Sequence, residues 1–138
     1  MNSTIIELLN RILEQEHACA IRYATHAAVV SGPYSESVKA RLKEIAQDEI
    51  MHAEKLRDRI TALGGTPSMQ VSVADLKHAT SLSEILEINI AEEKEALRAY
   101  EELFRLIPVA NVILYQTVQE LIRDEQEHLE ELMGLQSN

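Results

Sequence analysis

DEIMHAEKL (Asp48–Leu56) and DEQEHLEEL (Asp124–Leu132) share the pattern D-E-x-x-H-x-E-x-L, 76 positions apart. In each copy the first Glu and the His stand three residues apart, which on an α-helix places them on one face. Working outward, that face is apolar. Val38, Leu42, Ile45, Leu56 and Ile60 line up with Glu49 and His52, and Leu114, Val118, Leu121, Leu132 and Leu135 line up with Glu125 and His128. An unpaired buried carboxylate costs on the order of several kcal/mol, so the pattern demands positive charge opposite it. A single Glu-x-x-His match means little in a Glu-rich chain. Glu14 and His17 form such a match, read as coincidence because Glu14 falls off its stripe. A nine-residue repeat is not explained that way.

The repeated segments sit inside long helical periodicities. Ile5, Leu9, Ile12, Ala20, Tyr23, Ala27 and Val30 predict a first helix from about Ser3 to Val30, with Ser3 as its cap. SGPY (Ser31–Tyr34) breaks it, and a second helix runs from Ser35 to Leu63, ended by GGTP (Gly64–Pro67). SMQVSVADLKHATS is then long enough to traverse a bundle, so the third helix, Leu82–Leu106, should run parallel to the second. Pro108 marks a tight junction or a first-turn proline, and the fourth helix continues to about Leu132. The expected fold is all-α. It is a single domain over residues 1–138, an antiparallel four-helix bundle with one long crossover between helices two and three.

Composition agrees with this reading and narrows the function. The chain of 138 residues has four Gly, three Pro and no Trp, and its formal net charge is −10. Nucleic acid is an unsuitable partner for such a surface, whereas cations suit it. One cysteine, Cys19, allows neither an intrachain disulfide nor a four-cysteine metal site, and it reads as a small core residue. No apolar run reaches membrane-spanning length, and MNSTIIELLN does not resemble a signal peptide, so a cytoplasmic location is expected.

If the repeat marks two related helix pairs, the first helix should carry a glutamate matched by one in the third. Glu16 lies on the apolar stripe beside the small residues Ala18, Cys19 and Ala20. The offset of 76 leads from Glu16 to Glu92, and the spacing from Glu16 to Glu49 equals that from Glu92 to Glu125. Four carboxylates and two imidazoles would then converge, balancing two divalent cations. Such oxygen-rich sites suit iron or manganese. In AEEKEALRAY Glu92 is the favoured third-helix residue, with Glu93 as the alternative. Tyr100 lies seven positions after Glu93, as Tyr23 does after Glu16, which favours Glu93, while the offset favours Glu92, and Glu95 is an extra or alternating candidate.

At these residues the chain resembles the ferritin-like superfamily, most closely the bacterioferritins. LNRILEQEHACAIRYATHA resembles their first helix, DEIMHAEKLRDRITALGGTP their second, and LIRDEQEHLEEL their fourth. The resemblance implies that Glu49 and Glu125 bridge two metals, that Glu16 and His52 complete one, and that Glu92 and His128 complete the other. It also implies that Tyr23 donates a hydrogen bond to a ligand carboxylate. Glu92 followed by Glu95 is similar to rubrerythrins as well. Ile50 stands where bacterioferritins place a haem-ligating methionine, so no haem of that type is expected. The chain ends at Asn138, without the short fifth helix that helps close a large bacterioferritin shell, so the expected assembly is a homo-oligomeric dimer or small shell. The implied activity is a ferroxidase, taking Fe(II) with dioxygen or hydrogen peroxide. Peroxide removal by a manganese catalase-like or rubrerythrin-like cycle is the enzymatic alternative, and a metal-binding bundle the non-enzymatic one. His17, His26 and His78 are expected at the surface or in supporting positions.

Overall fold

Residues 2–137 are described by a computed structural model. Four helices dominate: α1 (Asn2–Val29), α2 (Ser35–Ala62), α3 (Leu82–Leu106) and α4 (Val112–Gln136). The limits follow local chemistry. At the end of α2, Leu63 and Gly65 N–H groups return to Ile60 O, and Gly64 takes a left-handed φ of 88°. Gly65 cannot be replaced freely, because an added Cβ would stand 2.7 Å from Ile6 Cγ2. Ser81 caps α3 by accepting from Glu84 N–H, and Asn111 caps α4 by accepting from Leu114 N–H. Pro108 therefore belongs to the α3–α4 turn rather than to the first turn of α4. Ser3 lies inside α1 instead of capping it, and α4 runs on past Leu132 to Gln136.

The crossover is a fastened strap with one 3₁₀ turn, Val73–Asp75. Its partners advance in step with it along α1 and into the turn that follows. Ser68 N–H donates to Asn10 Oδ1, Ser72 N–H to Glu14 O, and Ser31 N–H to Thr80 O. The crossover thus runs alongside α1 in the same direction, from the end where α2 finishes to the end where α3 begins. This places α3 parallel to α2 and antiparallel to α1.

Three of these fastenings use residues that the helical pattern left without a role. Glu14 accepts from Ser68 Oγ at 2.6 Å, and His17 Nδ1 lies 2.7 Å from Gln70 O. His26, expected at the surface or in a supporting position, is buried. Its Nε2 meets Lys77 O at 2.7 Å and its Nδ1 meets Asn89 Nδ2 at 3.0 Å. The buried Arg22 guanidinium donates to Asn89 Oδ1, Asp75 O and Cys19 Sγ. A guanidinium needs several fixed acceptors to be buried, and the crossover supplies one of them.

The core divides into two apolar clusters. One holds Tyr23, Leu42, Ile45, Ile85 and Leu132, and the other holds Leu9, Leu56, Tyr100, Leu103 and Leu121. Between them lies a layer of buried carboxylates and imidazoles.

Candidate metal centre

Every helix contributes to that layer at its middle: Glu16 from α1, Glu49 and His52 from α2, Glu93 from α3, Glu125 and His128 from α4. All six are buried, at 2% exposure or less. They form two overlapping groups whose ligand atoms lie within 4.8 Å of one another. One is Glu16, Glu49, His52 and Glu125, and the other is Glu49, Glu93, Glu125 and His128. Glu49 and Glu125 belong to both.

The third-helix position is Glu93, not Glu92. Glu92 turns toward the crossover, where Lys77 Nζ approaches its Oε1 at 2.5 Å. Glu95 is exposed and paired with Arg98. The uniform offset of 76 misses by one because the second helix pair is one residue tighter than the first. Glu16 and Tyr23 correspond to Glu93 and Tyr100, while Asp48, Glu49 and His52 correspond to Asp124, Glu125 and His128. The tyrosine spacing points to the residue that the structure brings into the layer. Tyr23 Oη donates to Glu93 Oε2 at 2.5 Å.

Both imidazoles aim Nδ1 inward. His52 Nδ1 lies 2.9 Å from Glu16 Oε2, 3.1 Å from Glu49 Oε1 and 2.8 Å from Glu125 Oε1. His128 Nδ1 lies 3.5 Å from Glu93 Oε2 and 3.8 Å from Glu49 Oε1. The rings stand 6.1 Å apart, inclined by 24°. Both aim Nε2 outward, and here the aspartate of each repeat serves the other repeat. His52 Nε2 meets Asp124 Oδ2 at 3.1 Å, and His128 Nε2 meets Asp48 Oδ2 at 2.9 Å. An outward carboxylate that accepts from Nε2–H leaves the Nδ1 lone pair for a cation. The signal was present in the sequence, since Asp precedes Glu in both copies, but no role was assigned to it.

The electrostatics match a cation site. Burial first, then the negative charge of Glu49, raises Glu16 to about 7. Burial, then Glu49, Glu93 and Glu16, pushes Glu125 well above the usual carboxylate range. For Glu93, burial is outweighed by hydrogen bonds with Glu125, His128 and Tyr23, and its pKa is lowered. Burial would depress the two histidines, but carboxylates outweigh it. Glu16 and Glu49 raise His52 to about 11, while Glu93 and Glu49 lead in raising His128 to about 9. Even so, donors are too few: His52 Nδ1 is shared among three carboxylates, and Glu16 Oε1, Glu93 Oε1, Glu49 Oε2 and Glu125 Oε2 have no hydrogen-bond partner among the described residues. Each orphaned buried polar atom costs about 1–3 kcal/mol, more if charged. Two divalent cations would satisfy these atoms and neutralise four carboxylates, so the donor set fits a paired metal site.

An open cavity of about 390 Å³ reaches Glu16 from the side where α1, α2 and the start of the crossover meet, lined also by Ile21, Ile50, Arg57 and Met69. Among the described residues, no helix is long and apolar enough to cross a membrane.

Comparison with known proteins places this geometry in context. The sequence profile of the ferritin-like domain matches residues 6–138. A bacterioferritin from Brucella melitensis is 27% identical over 127 residues, covering 91% of this chain and 78% of its own. The crystal structure of a ferritin-like, diiron-carboxylate protein from Bacillus anthracis superposes with a TM-score of 0.91 at 33% identity, covering 98% of this chain and 96% of that one. The Desulfovibrio desulfuricans bacterioferritin, studied for its diiron site in different catalytic states, superposes with a TM-score of 0.88 at 26% identity, covering 99% and 80%.

Proposed function

The chain belongs to the ferritin-like domain family, and on that footing we propose that it is a ferroxidase, oxidising Fe(II) for iron storage or detoxification. The observation that carries the reading is the overlap of two four-residue ligand groups in Glu49 and Glu125. In this reading Glu49 and Glu125 serve both metals. Glu16 and His52 complete one, and Glu93 and His128 complete the other. Two Fe(II) ions held there supply, between them, two electrons to one molecule of dioxygen or peroxide.

The protein's share of the work is placement and proton management. Rigid helix middles fix the six ligands before substrate arrives, so little ordering remains to be done on binding. Asp124 and Asp48 hold His52 and His128 with Nδ1 facing the cations. Tyr23 holds Glu93. The two apolar clusters on either side keep bulk water from the reacting centre. The cavity that reaches Glu16 is the proposed route for Fe(II), and the strongly acidic chain favours its approach. The proposal calls on no haem, because Ile50 follows Glu49 directly. A cytoplasmic homo-oligomer completes the proposal.

The test is to titrate the metal-free protein with Fe(II) without oxygen, then admit air and follow ferric absorbance in the near ultraviolet. Saturation at two irons per chain, with oxidation faster than in buffer, is expected. No paired binding, or oxidation at the buffer rate, would overturn the ferroxidase reading and direct attention to manganese and peroxide.

A further inference from the structure

Tyr100 has no place in the mechanism so far. It is fully buried on α3, and its hydroxyl has no hydrogen-bond partner among the described residues. A buried phenol usually finds a partner. The approximate two-fold relation between the helix pairs shows where to look. Tyr23 lies seven positions after Glu16 and donates across the bundle to Glu93, whereas Tyr100 lies seven positions after Glu93. Tyr23 sits in the apolar cluster on one side of the polar layer, and Tyr100 sits in the cluster on the other side. The counterpart of Glu93, on the facing helix, is Glu16. Its Oε1 is also buried and without a partner among the described residues.

Glu16 depends at present on His52, whose Nδ1 meets Oε2 at 2.9 Å. That bond uses the same Nδ1 that a cation would take. When His52 commits its lone pair to a metal, its remaining N–H faces Asp124, and Glu16 loses its donor. Glu93 does not face this loss, because Tyr23 already serves it. We propose that Tyr100 is the positioning residue for Glu16, its hydroxyl donating to that carboxylate once His52 has turned to a cation. Each end of the paired site then has its own tyrosine. The inference rests on the paired-metal reading. It is supported by the field at the Tyr100 hydroxyl, which burial and then Glu16, Glu125 and Glu49 push well above the usual phenol range, favouring the protonated donor form.

The experiment uses Co(II) and Zn(II), so that it does not depend on iron oxidation. Co(II) binding to the full-length protein is measured calorimetrically for the wild type, Tyr100→Phe, Tyr23→Phe, Glu16→Gln and the Tyr100→Phe/Glu16→Gln pair. Losing a hydrogen-bond partner behind a ligand typically weakens metal binding about 10- to 100-fold. Tyr100→Phe should therefore weaken one of two Co(II) steps at least about tenfold, and add nothing further in the Glu16→Gln background. The metal-free Tyr100→Phe protein should melt no lower than wild type, because the deleted hydroxyl had no partner. Zn(II) should produce a tyrosine difference band in the near ultraviolet that Tyr100→Phe removes and Tyr23→Phe retains. Unchanged Co(II) binding in Tyr100→Phe, or an undiminished effect in the Glu16→Gln background, would overturn the inference while leaving the paired site standing. A wild-type protein that takes fewer than two Co(II) would sink the paired site and this inference together.

Discussion

The two ends of the polar layer are built from corresponding residues but are not in the same state. At one end Tyr23, His128 and Glu125 hold Glu93, which stays ionised below the usual carboxylate value. At the other end Glu16 leans on His52 alone, and burial with the charge of Glu49 raises it to about 7. The same residue types therefore reach opposite protonation preferences, because bonds with Glu125 and His128 first, and with Tyr23 after them, outweigh burial at Glu93. A structural repeat transmits the position of a ligand more faithfully than its chemistry.

The most disruptive way to probe the comparison is to remove a ligand from each end. Glu93→Gln and Glu16→Gln should each weaken one metal by more than about 100-fold, beyond the range for partners that only support ligands. Glu92→Gln should leave both metals within about twofold of wild type. Equal damage from Glu92→Gln and Glu93→Gln would break the assignment of α3 and restore the uniform offset.

Protons offer the next test. Glu16 and both histidines have raised pKa values. The stabilisation from a raised group is complete below its ordinary value and lost as pH climbs through its folded value. Glu16 gives up its contribution through about 7 and His128 through about 9, whereas Glu93, being lowered, gives up its own only as the solution is acidified. The melting temperature of the metal-free protein should therefore fall between pH 6 and 9, by about 5 °C or more at ordinary melting entropies. Saturation with Zn(II) should remove that fall. Metal binding at pH 7 should release between about three and four protons per chain, since His52, His128 and Glu125 hold theirs and Glu16, raised to about 7, holds about half of one. Calorimetry in buffers of different ionisation enthalpy measures this count.

The fold was readable because it rests on periodicity. Apolar stripes, the breaks at Gly32–Pro33, Gly64–Gly65 and Pro108, and the long segment after Pro67 determine four helices and their directions. Five of the six residues that the structure brings together in the polar layer could be read for the same reason: a glutamate or histidine on a buried stripe violates the pattern and so announces itself. Glu92 and Glu93 defeated the reading because both are buried. Burial alone does not say whether a carboxylate faces the bundle axis or the crossover. In the structure Glu92 pairs with Lys77, a residue on a loop whose path the sequence does not specify. For His26 the sequence leaves surface and supporting positions open on the same account. Its partners, Lys77 O and Asn89, come from the crossover and from α3, and no local pattern links them. The cross-repeat pairing of Asp48 with His128 and Asp124 with His52 was likewise invisible until the two copies were brought face to face.

Those aspartates provide a finer test. Asp124→Ala should weaken the metal served by His52, and Asp48→Ala the one served by His128, each by about tenfold. Both should leave the stoichiometry at two. The two effects should differ in pH dependence, because His52 retains its proton to about 11 and His128 only to about 9. Identical profiles for the two variants would show that the ends of the site are equivalent in solution.

The smallest expected effect concerns Lys77. Its side chain is about half exposed and pairs with a nearly buried Glu92. Solvent screens such a pair, so its contribution is at most about 1 kcal/mol. Lys77→Met should lower the melting temperature by about 2–5 °C, and it also leaves Glu92 without its cation on the flank of the site. If Lys77 only fastens the crossover, both metals bind as before. If it also holds Glu92 back from the neighbouring ligand position, Lys77→Met should let Glu92 compete with Glu93. The Glu93 end alone would then bind Co(II) with an altered spectrum, and adding Glu92→Gln should restore the original one. Because Glu16 has no acidic neighbour of that kind in sequence, its end of the site should be indifferent to either change.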